Sequence, residues 1–543
     1  MFRAFIFLGL CRFNCSANKC TLLHRICLEV TMKVAKSCRQ CRTAKRKCTF
    51  DAGSRSACMI CAQKGLECSL VRLNWTRPKP IAPAASASEN CIKVNDESRD
   101  QLIDVYLERI HDKPHTLFHP ATLKFRVQTG ALPEPVLFSI LALAARFSGD
   151  QGIRDRARDL FQTAKESFKR TLDEVTLDNI HAAALIGNIC GVEGDTSGES
   201  LFFGISFRMA LILRLPEPSP GDDRIMKETR IRTYWSLYMI DQWSSAGLDM
   251  PRQIPDTSEN PLPMPELEYW QLRPGDHRIG TTAKDHNPGL WGYMVILARI
   301  FGKIHELHRQ LAKGDLTDVQ TEEQTRVLAL QLESFVQNLP PNVVYTEDNL
   351  EHHAMLGLGA TFVALHLGYH HYSTLLYFHY LDSTVSRVPN QTLFAARCKY
   401  HAAAFSDLLN LSNGIDGCEA VCFIVSHMTV ISSSVLLHTL LFGEPGELPD
   451  TRRRLSSNFQ ILLKLKQYWP DVNMMITRLF TFQEACMRST DQVYVVDKWI
   501  VKFLLQHALP IEKNLRPPAT DYLAERDKFA EDALSILRPE RSG

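Results

Sequence analysis

The sequence predicts a mainly all-α chain with a small cysteine-rich head, a proline-rich linker and a large helical body. Three observations carry that reading. Six cysteines fall within the 31 residues from Cys38 to Cys68, and a stretch with prolines at 78, 80 and 83 follows them. From Leu102 onward, apolar residues recur at three- and four-residue spacing, with loops marked by Pro, Gly and Asp.

At 543 residues and 45% hydrophobic content, the chain exceeds one ordinary domain and can bury a large core. The net charge is +2, yet Lys36 to Lys79 holds eleven Lys or Arg and two acids, a local +9 that leaves −7 for the rest. A mildly acidic body with one basic patch suits a protein that touches a polyanion at one end. A secreted disulfide scaffold would be a short chain with its cysteines spread throughout. Here they cluster among lysines, which points to a reducing compartment and a metal. Cys190, Cys398, Cys418, Cys422 and Cys486 fall in apolar helical stretches and are expected to act as small buried hydrophobes.

Taken in order, residues 1–31 open with an apolar run, Phe2 to Leu10, like a signal-peptide core. It is too short to span a bilayer and no small-residue cleavage site follows. We expect this segment to be an upstream extension of the gene model, with translation starting at Met32.

The head, residues 32–70, reads Cys38-x-x-Cys41, six residues to Cys48, nine to Cys58, then Cys58-x-x-Cys61 and six to Cys68. Structural zinc takes four thiolate or imidazole ligands, so a single ion would leave two cysteines unused. Two ions need eight ligand positions, which six thiolates fill if two of them bridge. The matching halves suggest Cys38 and Cys58 as bridges. Two Zn²⁺ and six thiolates sum to about −2, which neighbouring cations offset. Cys41 to Cys48 forms a helical turn bearing Arg42, Lys45, Arg46 and Lys47. A segment this small cannot bury a core, so metal must hold it, and its cations need a polyanion. Phosphate neutralisation gives affinity, and a cation at the end of such a turn can donate to guanine O6 and N7 in the major groove.

These residues resemble the zinc binuclear-cluster family of fungal transcription factors, whose pattern is C-x-x-C, six, C, a variable loop, C-x-x-C, six to eight, C. The resemblance implies two zinc ions, bridging by the first and fourth cysteines, and recognition of CGG triplets in double-stranded DNA. By motif position Lys45 matches the base-contacting lysine, with Arg42, Arg46, Lys47 and Lys64 as phosphate or supporting contacts. Ala44 stands where a second cation is usual, and the loop Thr49 to Ala57 lacks the proline common before the fourth cysteine.

The linker, residues 71–98, is extended by its prolines. Residues 84–98 are too few and too polar for a dimerising coiled coil. The body, residues 99–507, shows helical periodicity over Gln101–His111, Glu134–Ser148, Ile153–Glu174, Asn179–Gly191, Gly198–Leu213 and Arg224–Ala246. It continues over Leu290–Leu311, Thr321–Gln337, His353–Tyr380, Thr392–Asn413, Ala420–Phe442, Arg452–Gln467, Val472–Arg488 and Val493–Gln506. Ala420–Phe442 contains His427, His438 and several serines, so a buried helix is expected there and no membrane association. The tail, 508–543, includes an amphipathic stretch from Asp521 to Leu537.

The body is similar to the fungal transcription-factor regulatory domain. Leu102 to Pro120 resembles its opening, Gly204-Ile205-Ser206-Phe207-Arg208-Met209-Ala210 one of its helices, and Glu228 to Asp241 another. Arg208, Arg230, Arg232 and Asp241 are expected to tie helices together through ion pairs. His366 and His370 share a helix face, but without a glutamate or a fixed third ligand they are expected to be packed side chains. The resemblance implies a nuclear regulator, not an enzyme, that meets the transcription machinery and controls a metabolic or biosynthetic gene set. Its body is a candidate for pairing two chains and for sensing a small-molecule effector. The rival reading is a zinc-folded interaction scaffold or a repressor without independent DNA reading.

Overall fold

In the computed structural model, the described residues are 41, 43, 45–49, 58–64, 95–113, 115–255, 259–276, 287–381, 388–488, 498–511 and 534. The chain divides into two compact units, Met1–Cys91 and Ile92–Gly543. Residues 1–31, and most of the expected linker and tail, lie outside the described residues.

In the first unit, Cys41 and Thr43 belong to a helical turn. That turn closes where the Arg46 N–H donates to the Cys41 carbonyl at 2.9 Å, with Lys45 left-handed at φ +48°. This is the six-to-one bond of a helix C-terminus, with lysine where glycine is usual. The second half carries α1 (Met59–Gln63), which starts directly after Cys58. The Met59 N–H donates to the Thr49 carbonyl at 2.9 Å and ties one half to the other.

The second unit is helical throughout, and no β-strand occurs among the described residues. It opens with α2 (Asp96–Arg109), α3 (Pro120–Gln128), α4 (Glu134–Ala145), α5 (Gln151–Asp155), α6 (Ala157–Arg170), α7 (Leu177–Val192) and α8 (Thr196–Ile212). Next come α9 (Arg224–Leu248), α10 (Glu266–Trp270), α11 (Leu290–Lys313), α12 (Asp318–Gln337), α13 (Glu347–Met355) and α14 (Gly359–Tyr377). The unit ends with α15 (Gln391–Ser412), α16 (Ile424–Phe442), α17 (Leu448–Lys466), α18 (Val472–Arg488) and α19 (Lys498–Leu505). Helices pack as sequence neighbours, α7 on α8, α14 on α15 and α16 on α17, around one continuous apolar core from Leu102 to Leu534.

The α16 helix is long and apolar enough to cross a membrane, yet Val425 to Leu441 is buried inside the unit, as its serines and histidines require. Two expected helices break. Ile153–Glu174 divides at Arg156 into α5 and α6. His353–Tyr380 divides at Gly357, whose φ of +74° lets the Leu358 N–H close on the His353 carbonyl at 2.8 Å. The helix α3 was not expected, although His119 caps it through the Thr122 N–H at 3.3 Å and Pro120 opens it.

Candidate metal centre

Three expected ligands come together in the head. The Sγ atoms of Cys41, Cys48 and Cys58 lie within 4.8 Å of one another, and Cys41 and Cys58 are 3.6 Å apart. A disulfide needs ~2.05 Å, so this is not one. A tetrahedron with Zn–S of ~2.3 Å has an edge of ~3.8 Å, which the 3.6 Å separation fits. Cys61 is fully buried beside them, with Ile60 packed on the group. Cys58 thus joins the two ligands of the first half while its own half continues to Cys61. Cys38, Cys68 and Arg42 lie outside the described residues.

The described cations of the head face solvent. Lys45, Arg46, Lys47 and Lys64 are all exposed, as a phosphate-facing surface requires. Lys45 holds its left-handed backbone without a glycine's freedom, which fixes where its side chain leaves the turn.

The expected arginine network of the body is partly present. Arg232 is fully buried, donating to Glu228 Oε1 at 2.9 Å, the Met264 carbonyl at 2.6 Å and Thr116 Oγ1 at 3.2 Å, over the Tyr269 ring. Burial alone would lower its pKa, but Glu228, Glu266 and Asp112 hold it above the usual value. Arg230 pairs with Asp222 at 2.8 Å. Asp241 differs: it accepts from the Gln253 and Ile254 N–H groups at 2.7 Å and from Ser245, so it anchors a loop instead of an arginine. Arg208 is exposed. Sequence reasoning missed Glu266, which accepts from the Leu290 and Trp291 N–H groups at 3.0 Å and caps α11.

The histidine pair is packed, as expected. His366 donates to the Val343 carbonyl at 2.9 Å and His370 meets His401 at 3.0 Å. Cys190, Cys398 and Cys418 are buried and Cys422 is half-buried. The side chain of Cys486 lies outside the described residues.

Comparison with known proteins agrees with this architecture. Residues 103–337 match the family model described as fungal specific transcription factor domain. The chain is 21% identical over 428 residues to a Zn(2)-C6 fungal-type transcription factor of Fusarium oxysporum, covering 70% of this chain and 45% of the relative. It is also 21% identical over 423 residues to an uncharacterized transcriptional regulatory protein of Schizosaccharomyces pombe, covering 69% and 51%. The chain spans about half the length of these curated relatives. With its cysteine group and its helical unit, the chain is similar to the zinc-cluster transcription factors of fungi, and residues 103–337 carry the match to their regulatory domain.

Proposed function

We propose that the chain is a nuclear, zinc-dependent, sequence-specific DNA-binding regulator that reads CGG-containing sites with its head, residues 32–70. The observation that carries this reading is the convergence of the Cys41, Cys48 and Cys58 Sγ atoms within 4.8 Å of one another, in a segment whose described cations are exposed. Cys38, Cys41, Cys48 and Cys58 hold one Zn²⁺, and Cys58, Cys61, Cys68 and Cys38 the other. Cys58 bridges, which accounts for its closeness to both ligands of the first half. When bound, the metal supplies folding energy and rigidity, not chemistry.

Lys45 donates to guanine, and Arg42, Arg46, Lys47 and Lys64 hold phosphates. The head sits at the end of a linker, residues 71–98, and a tail, 508–543, follows the body. The body, 99–507, pairs chains or carries an effector signal to the transcription machinery, and the targets form a metabolic or biosynthetic gene set.

The experiment is elemental analysis of the full chain before and after single substitution. Wild type carries two zinc ions, Cys58→Ala loses both together, and Cys68→Ala loses one first. One zinc per wild-type chain contradicts the bridged centre.

A further inference from the structure

The helical unit contains a cavity of about 110 Å³, far above the ~10–15 Å³ that one water needs. It lies where the end of α7 and the start of α8 meet the C-terminal part of α9, bordered by the start of α16 and the turns before α18 and after α19. Phe203, Ile240, Trp243, Phe423 and Trp469 are among the large apolar side chains of its wall. Both indole N–H groups are committed elsewhere, Trp243 to the Tyr372 hydroxyl at 2.8 Å and Trp469 to the Val421 carbonyl at 2.7 Å. The indoles therefore bring apolar surface to the cavity and no donor.

Two carboxylates interrupt that wall. Glu199 is only 7% exposed, and its one hydrogen bond among the described residues is from the Ser244 hydroxyl to Oε1 at 2.8 Å. Asp471 is half-buried, and no hydrogen bond or ion pair reaches its carboxylate among the described residues. Gly191 lets α7 approach Glu199, since a Cβ there would stand 3.3 Å from the carboxyl group. Burial pushes Glu199 up to about 7, opposed by the Ser244 hydroxyl and reinforced by the Asp471 charge. Burial also pushes Asp471 up to about 6, opposed by Arg478.

The neighbouring cations are already committed. Arg109 lines the cavity but pairs with Glu419 and with Glu108. Arg478 donates to the carbonyls of Leu509, Lys502 and Phe503 at 2.6–2.9 Å, and its charge is set against Asp471. His507 is buried, and burial lowers it to about 4, so it is neutral near pH 7.

An apolar chamber in which Arg478 offsets Asp471 and no cation offsets the buried Glu199 selects a ligand that brings its own positive charge. We propose that this cavity binds a small, mainly apolar amine, its hydrocarbon part against Phe203, Trp243 and Trp469 and its ammonium donating to Glu199 and Asp471. An ammonium group has three donors, enough for both carboxylates, and indole rings attract cations as well. A neutral ligand leaves Glu199 unmatched, and an anion is repelled. The proposal deepens the reading of the body as effector-sensing and rests on it for biological meaning.

The test uses the zinc-loaded full chain at about pH 8, where carboxyls are ionised and alkylamines protonated. Phenethylamine, phenethyl alcohol and hydrocinnamate are titrated against tryptophan fluorescence and thermal melting. The amine is expected to bind about tenfold tighter than the alcohol, the difference one charge-assisted hydrogen bond makes, and the acid to bind weakest. Glu199→Gln is expected to erase the amine's advantage and leave the alcohol unchanged. If that variant does not fold, Asp471→Asn gives the same comparison from a half-buried position. Equal binding of amine and alcohol, tighter binding of the acid, or binding of none overturns the proposal. Titrating the same sample with a CGG duplex separates the two readings. DNA binding without amine binding sinks only the cavity proposal, and amine binding without DNA binding sinks only the regulator.

Discussion

At Lys45 one residue carries two demands. It ends the helical turn with φ +48°, a conformation that costs a residue with a side chain ~1–2 kcal/mol, and it presents the cation assigned to guanine. Lys45→Gly should relieve the strain and remove the contact. The variant is expected to hold zinc against a chelator at least as well as wild type, while losing its preference for CGG. Faster zinc loss would mean that the lysine is structural. The six-cysteine spacing was legible in the sequence because ligand count and C-x-x-C geometry are local constraints. The left-handed backbone at Lys45 was not, since glycine or asparagine, its usual marks, are absent there. Glu199 and Asp471 were equally silent: they meet only through folding.

At the scale of elements, Arg232 is the cation against which α9 aligns the loop before α10 and the turn before α3. Removing one partner of a buried pair strands the other charge, at a cost of ~3–5 kcal/mol. Arg232→Met should lower the urea midpoint accordingly, whereas Arg208→Met, on the exposed face of α8, should stay within ~0.5 kcal/mol of wild type. Equal effects would mean that the network adds nothing. Glu228 and Arg232 were readable together because they share one helix face. Glu266 was not, because its partners belong to another helix. The break at Gly357 was signalled by Gly357-Leu358-Gly359, and the start of α3 by His119-Pro120. Periodicity alone passed over both, since it registers apolar faces and not helix ends.

Across the whole molecule, buried histidines set the response to acid. Burial lowers His181, His366, His401 and His438 to about 4. An unfolded histidine titrates near ~6.5, so the stability these neutral rings contribute is present above that pH and is lost as pH falls toward 4. Burial raises Glu199 and Glu228 to about 7, with the opposite sign: their contribution is lost as pH rises from ~4.5 through 7. With His507, lowered to about 4, and Asp471, raised to about 6, counted as well, five histidines stand against three acids, so the urea midpoint of the helical unit should be lower at pH 5 than at pH 7. An unchanged or higher midpoint at pH 5 would mean that the acids dominate. The central claim is that one exposed lysine on a zinc-held turn reads sequence. Titrating labelled CGG and scrambled duplexes with the zinc-loaded full chain, wild type and Lys45→Ala, tests it most directly. The account predicts a loss of ~1–3 kcal/mol at CGG with little change on scrambled DNA. An unchanged ratio of the two affinities would contradict it.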